Sequence, residues 1–85
     1  MVIHHLKVWP LYYRALEDGS KTFEIRLNDR GFRVADTLVF HEWDPNESDY
    51  TYRPILYVKV LDLFEDVLGL MEGYVIMTLG EVRTS

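Results

Sequence analysis

Hydrophobic and polar positions alternate most strictly between Thr22 and Asn28. On an extended chain Phe23, Ile25 and Leu27 fall on one side, and Thr22, Glu24, Arg26 and Asn28 on the other. This predicts a strand, with Lys21 at its entrance on the apolar side by parity. Upstream, Val2–Val8 (VIHHLKV) is rich in strand formers and free of turn residues, which predicts a first strand. Trp9-Pro10 closes it, and proline suits the first turn of a helix. Leu11–Asp18 predicts that helix, with Tyr12, Ala15 and Leu16 on one face. Gly19 can end it in a left-handed conformation.

Downstream, Asn28-Asp29-Arg30-Gly31 is turn chemistry. Phe32 and Val34 read as core plugs, and Ala35-Asp36 as a tight turn into a strand Thr37–Trp43. Asp44–Ser48 is a loop, and Tyr50-Thr51-Tyr52 starts the returning arm of a hairpin. Pro54–Leu63 predicts a long strand. Its near lack of a polar side suggests burial on both faces. Phe64–Glu72 is irregular, and Tyr74–Leu79 is the last strand. The fold class expected is α+β, mostly β: a small twisted barrel, closed or nearly so, with one short helix after the first strand. Closure also removes exposed edges. Eighty-five residues suit one domain, 1–85.

Charge changes the picture more than composition does. The net charge is −5, which argues against non-specific nucleic-acid binding. Yet Lys21, Arg26, Arg30 and Arg33 crowd together, while acids gather in Glu42–Asp49 and Asp62–Asp66, so the central stretch is the positive pole. Cysteine is absent, which removes thiolate chemistry and disulfides. With no leader and no apolar run of membrane length, a cytoplasmic protein without membrane contact is the expectation.

Glu24 and Arg26, about 7 Å apart on one strand face, could grip a polar ligand between them. The plainer alternative is a solvated sheet face. His4 and His5 face opposite ways on a strand and cannot share one metal ion, and His41 stands alone as a half-buried strand residue. No metal or cofactor is expected. A phosphate-binding glycine loop and a Gly-x-Ser-x-Gly elbow are both missing. Trp9, Trp43 and Tyr74 flank turns, where aromatics could stack on a base or cap the core.

At Gly19-x-Lys21-Thr22-x-Glu24-x-Arg26 the chain resembles the ASCH domains of the PUA-like superfamily, and within them a short stand-alone bacterial and phage family of unknown function. Lys7, Pro10, Asn28-Asp29-Arg30, Asp36 and Gly73-Tyr74-Val75 extend the resemblance over nearly the whole chain. Two positions depart from it. Ala35 stands where relatives carry glycine, and His5 where they carry an acid. The resemblance implies a PUA-like barrel with a cleft between helix and sheet, lined by Lys21, Glu24 and Arg26. It also implies RNA, nucleotide or nucleoside recognition. One ASCH branch hydrolyses N4-acetylcytidine with a Lys and a Thr three residues on. Lys21 matches the first, but Glu24 stands in the Thr position.

The expectation is therefore a binding module for a nucleotide, a modified nucleoside or a single-stranded RNA end. Arg26 would hold a phosphate or carbonyl edge and Glu24 an exocyclic amine. Lys7 and Lys21 would supply charge, Trp9 a stacking face, and Asn28 and Tyr74 would complete the ligand-binding set. No catalytic residue is assigned. The alternatives are a hydrolase of a modified nucleoside, with Lys21 and Glu24 as acid and base, and a phage-type protein-interaction module using the acidic stretch Glu42–Asp49.

Overall fold

The computed structural model describes residues 1–84. Its elements are β1 (Ile3–Val8), α1 (Pro10–Glu17), β2 (Phe23–Leu27), β3 (Thr37–Asp44), β4 (Asp49–Tyr50), β5 (Leu56–Phe64), β6 (Tyr74–Leu79) and β7 (Arg83–Thr84). The fold is α+β and mostly β. Among the described residues no helix is long and apolar enough to cross a membrane.

Helix α1 begins at Pro10, with Trp9 as an extended N-cap whose carbonyl accepts the Tyr13 N–H. Proline costs nothing there, because its missing N–H would lack a helical partner anyway. The helix stops at Asp18, and Gly19 follows at φ +83°. The buried face is Tyr13 and Leu16 rather than Tyr12, which is exposed. Tyr13 can be buried because its hydroxyl donates to the Pro54 carbonyl at 2.8 Å.

The strands form one sheet in the order β1-β3-β5-β6-β2, with β4 added to β3 and β7 to β5. Strands β1 and β3 are parallel, and the other pairings are antiparallel. Of the two forms expected, closed or nearly closed, the fully closed barrel is not formed. The sheet is open, with β1 and β2 at its two ends. Two guanidinium groups occupy acceptors that a closing strand would have used. Arg26 Nη2 donates to the Lys7 carbonyl at 2.9 Å, and Arg30 Nη1 to the His5 carbonyl at 2.7 Å. Carbonyls two residues apart lie on the same strand edge, so these arginines blunt the edge of β1.

The core is built from Leu6, Leu38, Phe40, Leu56, Val75 and Met77 with their neighbours. Strand β5 is buried on one face only. Leu56, Val58 and Val60 point in, while Tyr57, Lys59 and Leu61 are exposed. The apolar run misled because Tyr57 and Leu61 lie on an outer face that no second layer fully covers. Phe32 is buried as expected, but Val34 is exposed. Strand β7 has only two residues and no sequence signal.

Strand β2 alternates as expected, but its polar side faces inward. Glu24 is 4% exposed, whereas Phe23, Ile25 and Leu27 are 43–47% exposed. Glu24 pairs opposite Met77, and Arg26 opposite Val75, both core residues on β6. Two-residue periodicity defines two faces but not which is buried.

The Ala35 turn carries strain. Ala35 sits at φ +75°, with its N–H donating to the Val60 carbonyl at 2.9 Å. A Cβ in the left-handed region costs about 1–2 kcal/mol, and glycine lacks it. Part of that relief is offset by the greater freedom of glycine in the unfolded chain. Ala35→Gly should therefore raise stability by about 1 kcal/mol, read from the urea midpoint at unchanged slope. A loss of stability would show that Ala35 is not strained.

Candidate functional site

The inward side of β2 faces β1 across a cleft of about 550 Å³. At its floor the Glu24 carboxylate is held by two cations. Lys21 Nζ donates to Oε1 at 2.5 Å, and Arg26 Nε to Oε2 at 2.6 Å. A buried charge is tolerable only when it is paired and hydrogen-bonded, and here both oxygens are. Arg26 is further fixed by its bond to the Lys7 carbonyl. Lys21 precedes the ladder, so parity does not govern it. Its N–H donates to the Ala15 carbonyl at 2.9 Å, which ties it to the end of α1. Its ammonium lies 5.2 Å from the Tyr12 ring centre, and Trp9 (55% exposed) and Phe23 also line the cleft.

Five of the seven expected residues thus share one cleft: Lys7, Trp9, Lys21, Glu24 and Arg26. Asn28 and Tyr74 do not join them. The Asn28 side chain accepts the Phe32 N–H at 2.8 Å and its own N–H reaches the Gly73 carbonyl, so it shapes the turn. Tyr74 pairs opposite Leu27 on the outer face of the sheet. Its distance from the cleft follows from the same inversion of β2.

A larger groove of about 1000 Å³ adjoins the cleft and shares Lys7 and Arg26 with it. It gathers His5 from β1, His41 from β3, Tyr50 from β4, Arg30, and Tyr52 and Arg53 from residues 51–55. These residues are scattered in sequence and carry no common motif, so the groove was not foreseen. Lys7 lies 3.9 Å from the centre of the Trp43 ring, which engages Trp43 with the lysine. Glu42 is buried and does not belong to an exposed acidic loop. It accepts the Thr51 hydroxyl and lies 3.4 Å from Arg53 Nε, while its carbonyl accepts the Thr51 N–H. These bonds flank Tyr52, held at φ +62° and 82% exposed. Left-handed backbone at a large residue is uncommon and marks the position.

His5 Nδ1 and His41 Nε2 stand 2.9 Å apart, with the His41 ring edge-on to Tyr50. Burial, and then the nearby His5, hold His41 below its usual value. His4 turns to the opposite face, where its Nε2–H donates to Asp36 Oδ2 at 2.8 Å. In the groove, Lys7, Arg26, Arg30 and Arg53 face one carboxylate, Glu42, an excess of three positive charges in a chain of net charge −5.

Residues 3–79 match the family described as a domain of unknown function, DUF3850. The chain belongs to this family. The span includes every cleft and groove residue named above. The chain is also similar to an uncharacterised 12.9 kDa protein of Escherichia phage P2, from the GpA 3′ region. The two are 32% identical over 82 residues, covering 94% of this chain and 72% of the phage protein.

Proposed function

We propose that this DUF3850 chain is a binding module for a nucleotide or a single-stranded RNA end, seated over Lys7 and Arg26. The observation that carries the reading is local charge reversal. Five of the nine Lys and Arg residues line the cleft and the groove, in a chain of net charge −5. Exposed aromatics flank them, Trp9 on one side and Tyr52 on the other. Cations between aromatic faces suit phosphates between stacked bases. The resemblance of the Lys21-x-x-Glu24-x-Arg26 stretch to ASCH domains points the same way. Both Glu24 oxygens already hold cations, so its part is to orient Lys21 and Arg26.

The test is a fluorescence-anisotropy titration with short single-stranded RNA at several salt concentrations. Few phosphates are engaged, so the slope of log affinity against log salt should be shallow, about −1 to −3. Tyr52→Ala and Arg53→Ala should each weaken binding about tenfold, in line with the loss of one stacked base or one charged contact. Arg26→Ala should abolish binding. Arg83→Ala on β7, outside the groove lining, should leave it unchanged. Equal losses from Arg53→Ala and Arg83→Ala would show that binding is non-specific.

The hydrolase alternative meets an obstacle in the cleft. Covalent amide hydrolysis needs a nucleophile beside a base. Lys21 instead donates a hydrogen bond to the Glu24 carboxylate, and Glu24 stands where the hydrolases carry threonine. A direct assay of cytidine release from N4-acetylcytidine should give no turnover above background. Robust turnover would replace the binding reading with an enzymatic one.

A further inference from the structure

We infer that the groove takes a terminal phosphate monoester, and that the His5–His41 pair is the proton-accepting part of that subsite. The inference rests on the nucleotide-binding reading and names the ligand group it would favour. The two imidazoles come from neighbouring strands, β1 and β3, and meet at 2.9 Å on the groove wall. A hydrogen bond between two imidazole nitrogens uses one proton and one lone pair, so these two facing nitrogens hold one proton between them. A second proton on these facing nitrogens would set two N–H groups against each other, so a further proton goes to an outer nitrogen and makes one imidazolium. Burial and His5 already disfavour the charged form of His41. An anion beside the pair reverses that preference, because it turns both imidazoles into charge-assisted donors.

The surrounding charges select the anion. The Tyr50 ring on β4 lies edge-on to His41, and the pair shares the groove with Lys7 on β1, Arg26 on β2, Arg30 after β2 and Arg53 before β5. Arg30 spends one donor on the backbone carbonyl of His5, and a guanidinium has five, so it has donors to spare at the groove. Glu42 is the opposing charge, and it is occupied by Thr51 and Arg53. An internal phosphodiester carries one negative charge. A terminal monoester carries close to two at neutral pH, because its second ionisation lies near 6. The extra charge and the extra acceptor oxygens match a site with an excess of cations and a histidine pair that takes a proton once the anion is in place.

The experiment compares one short RNA with a 5′-phosphate, a 3′-phosphate or hydroxyl ends, by calorimetry at pH 7 in buffers of different ionisation enthalpy. A phosphorylated end should bind roughly tenfold tighter or more than the hydroxyl-ended RNA, the gain expected from charge-assisted hydrogen bonds. The buffers should report uptake of about one proton on binding. By linkage, affinity for the phosphorylated RNA should then fall as pH rises above 7. His5→Gln and His41→Gln should each lose the preference and the proton uptake, with folding verified by thermal melts. Equal binding of all three RNAs overturns this inference and leaves the nucleotide-binding reading standing. Binding of none of them overturns both. A preference without proton uptake overturns the role given to the histidines.

Discussion

Asp36→Ala should destabilise the fold by about 3–4 kcal/mol. The Asp36 side chain is 3% exposed and satisfies three donors from two segments. Oδ1 accepts the Val2 N–H at 3.0 Å, while Oδ2 accepts the Arg33 N–H at 3.0 Å and His4 Nε2–H at 2.8 Å. Each orphaned buried donor costs about 1–3 kcal/mol, and water recovers part of that at the partly buried amides. The same site sets an acid limit. Burial alone would raise the Asp36 carboxyl, but the hydrogen bonds from His4, Val2 and Arg33 outweigh it and leave the group below its usual 3.8. Its stabilising share is therefore complete above the unfolded value and is lost as pH falls through the lowered folded value. Wild type should lose stability on acidification below about pH 4, and Asp36→Ala should lose less over that window. Parallel acid profiles for the two proteins would refute the assignment.

Glu24→Ala should cost about 2–3 kcal/mol and disorder the cleft. The change leaves Lys21 and Arg26 facing each other without the carboxylate they share. Removing one partner of a buried ion pair typically costs about 3–5 kcal/mol. The lower figure applies here because side chains 17% and 29% exposed can turn partly to water. A companion variant separates stability from binding. Replacing all three by apolar residues of similar size, Lys21→Met, Glu24→Leu and Arg26→Met, should change stability little, since well-packed apolar substitutes often match a buried ion network. RNA binding should nevertheless be lost. If the triple variant kept full RNA affinity, the triad would be a structural feature alone.

Element positions were largely legible because they follow local signals. Proline at Pro10, glycine at Gly19 and the alternation from Phe23 to Leu27 each act within a few residues. What could not be read was which side of an element is covered, since that depends on distant strands. Strand β2 shows it best. Its apolar triplet faces out because its inner side looks across to β1, where a paired carboxylate satisfies itself with two cations. Tyr13 displaced Tyr12 from the interior for a similar reason, as it finds the Pro54 carbonyl 41 positions away. The left-handed strain at Ala35 was legible from the glycine expected there, and the backbone adopts that conformation despite the Cβ. The groove escaped notice because His5, Arg30, His41 and Arg53 converge only once β1, β3 and residues 51–55 are assembled.

The central claim is that Lys7 and Arg26 mark a nucleotide-binding surface. It is tested most directly by ¹⁵N chemical-shift mapping of the wild-type protein titrated with a short 5′-phosphorylated single-stranded RNA. The account expects shifts confined to β1, to the amides around Arg26 and Arg30, and to residues 51–55. It expects none along the outer face at Tyr74 and Ile76, nor in the loop around Asn46 and Glu47. Shifts centred on that loop or that face, or none at saturating RNA, would contradict it.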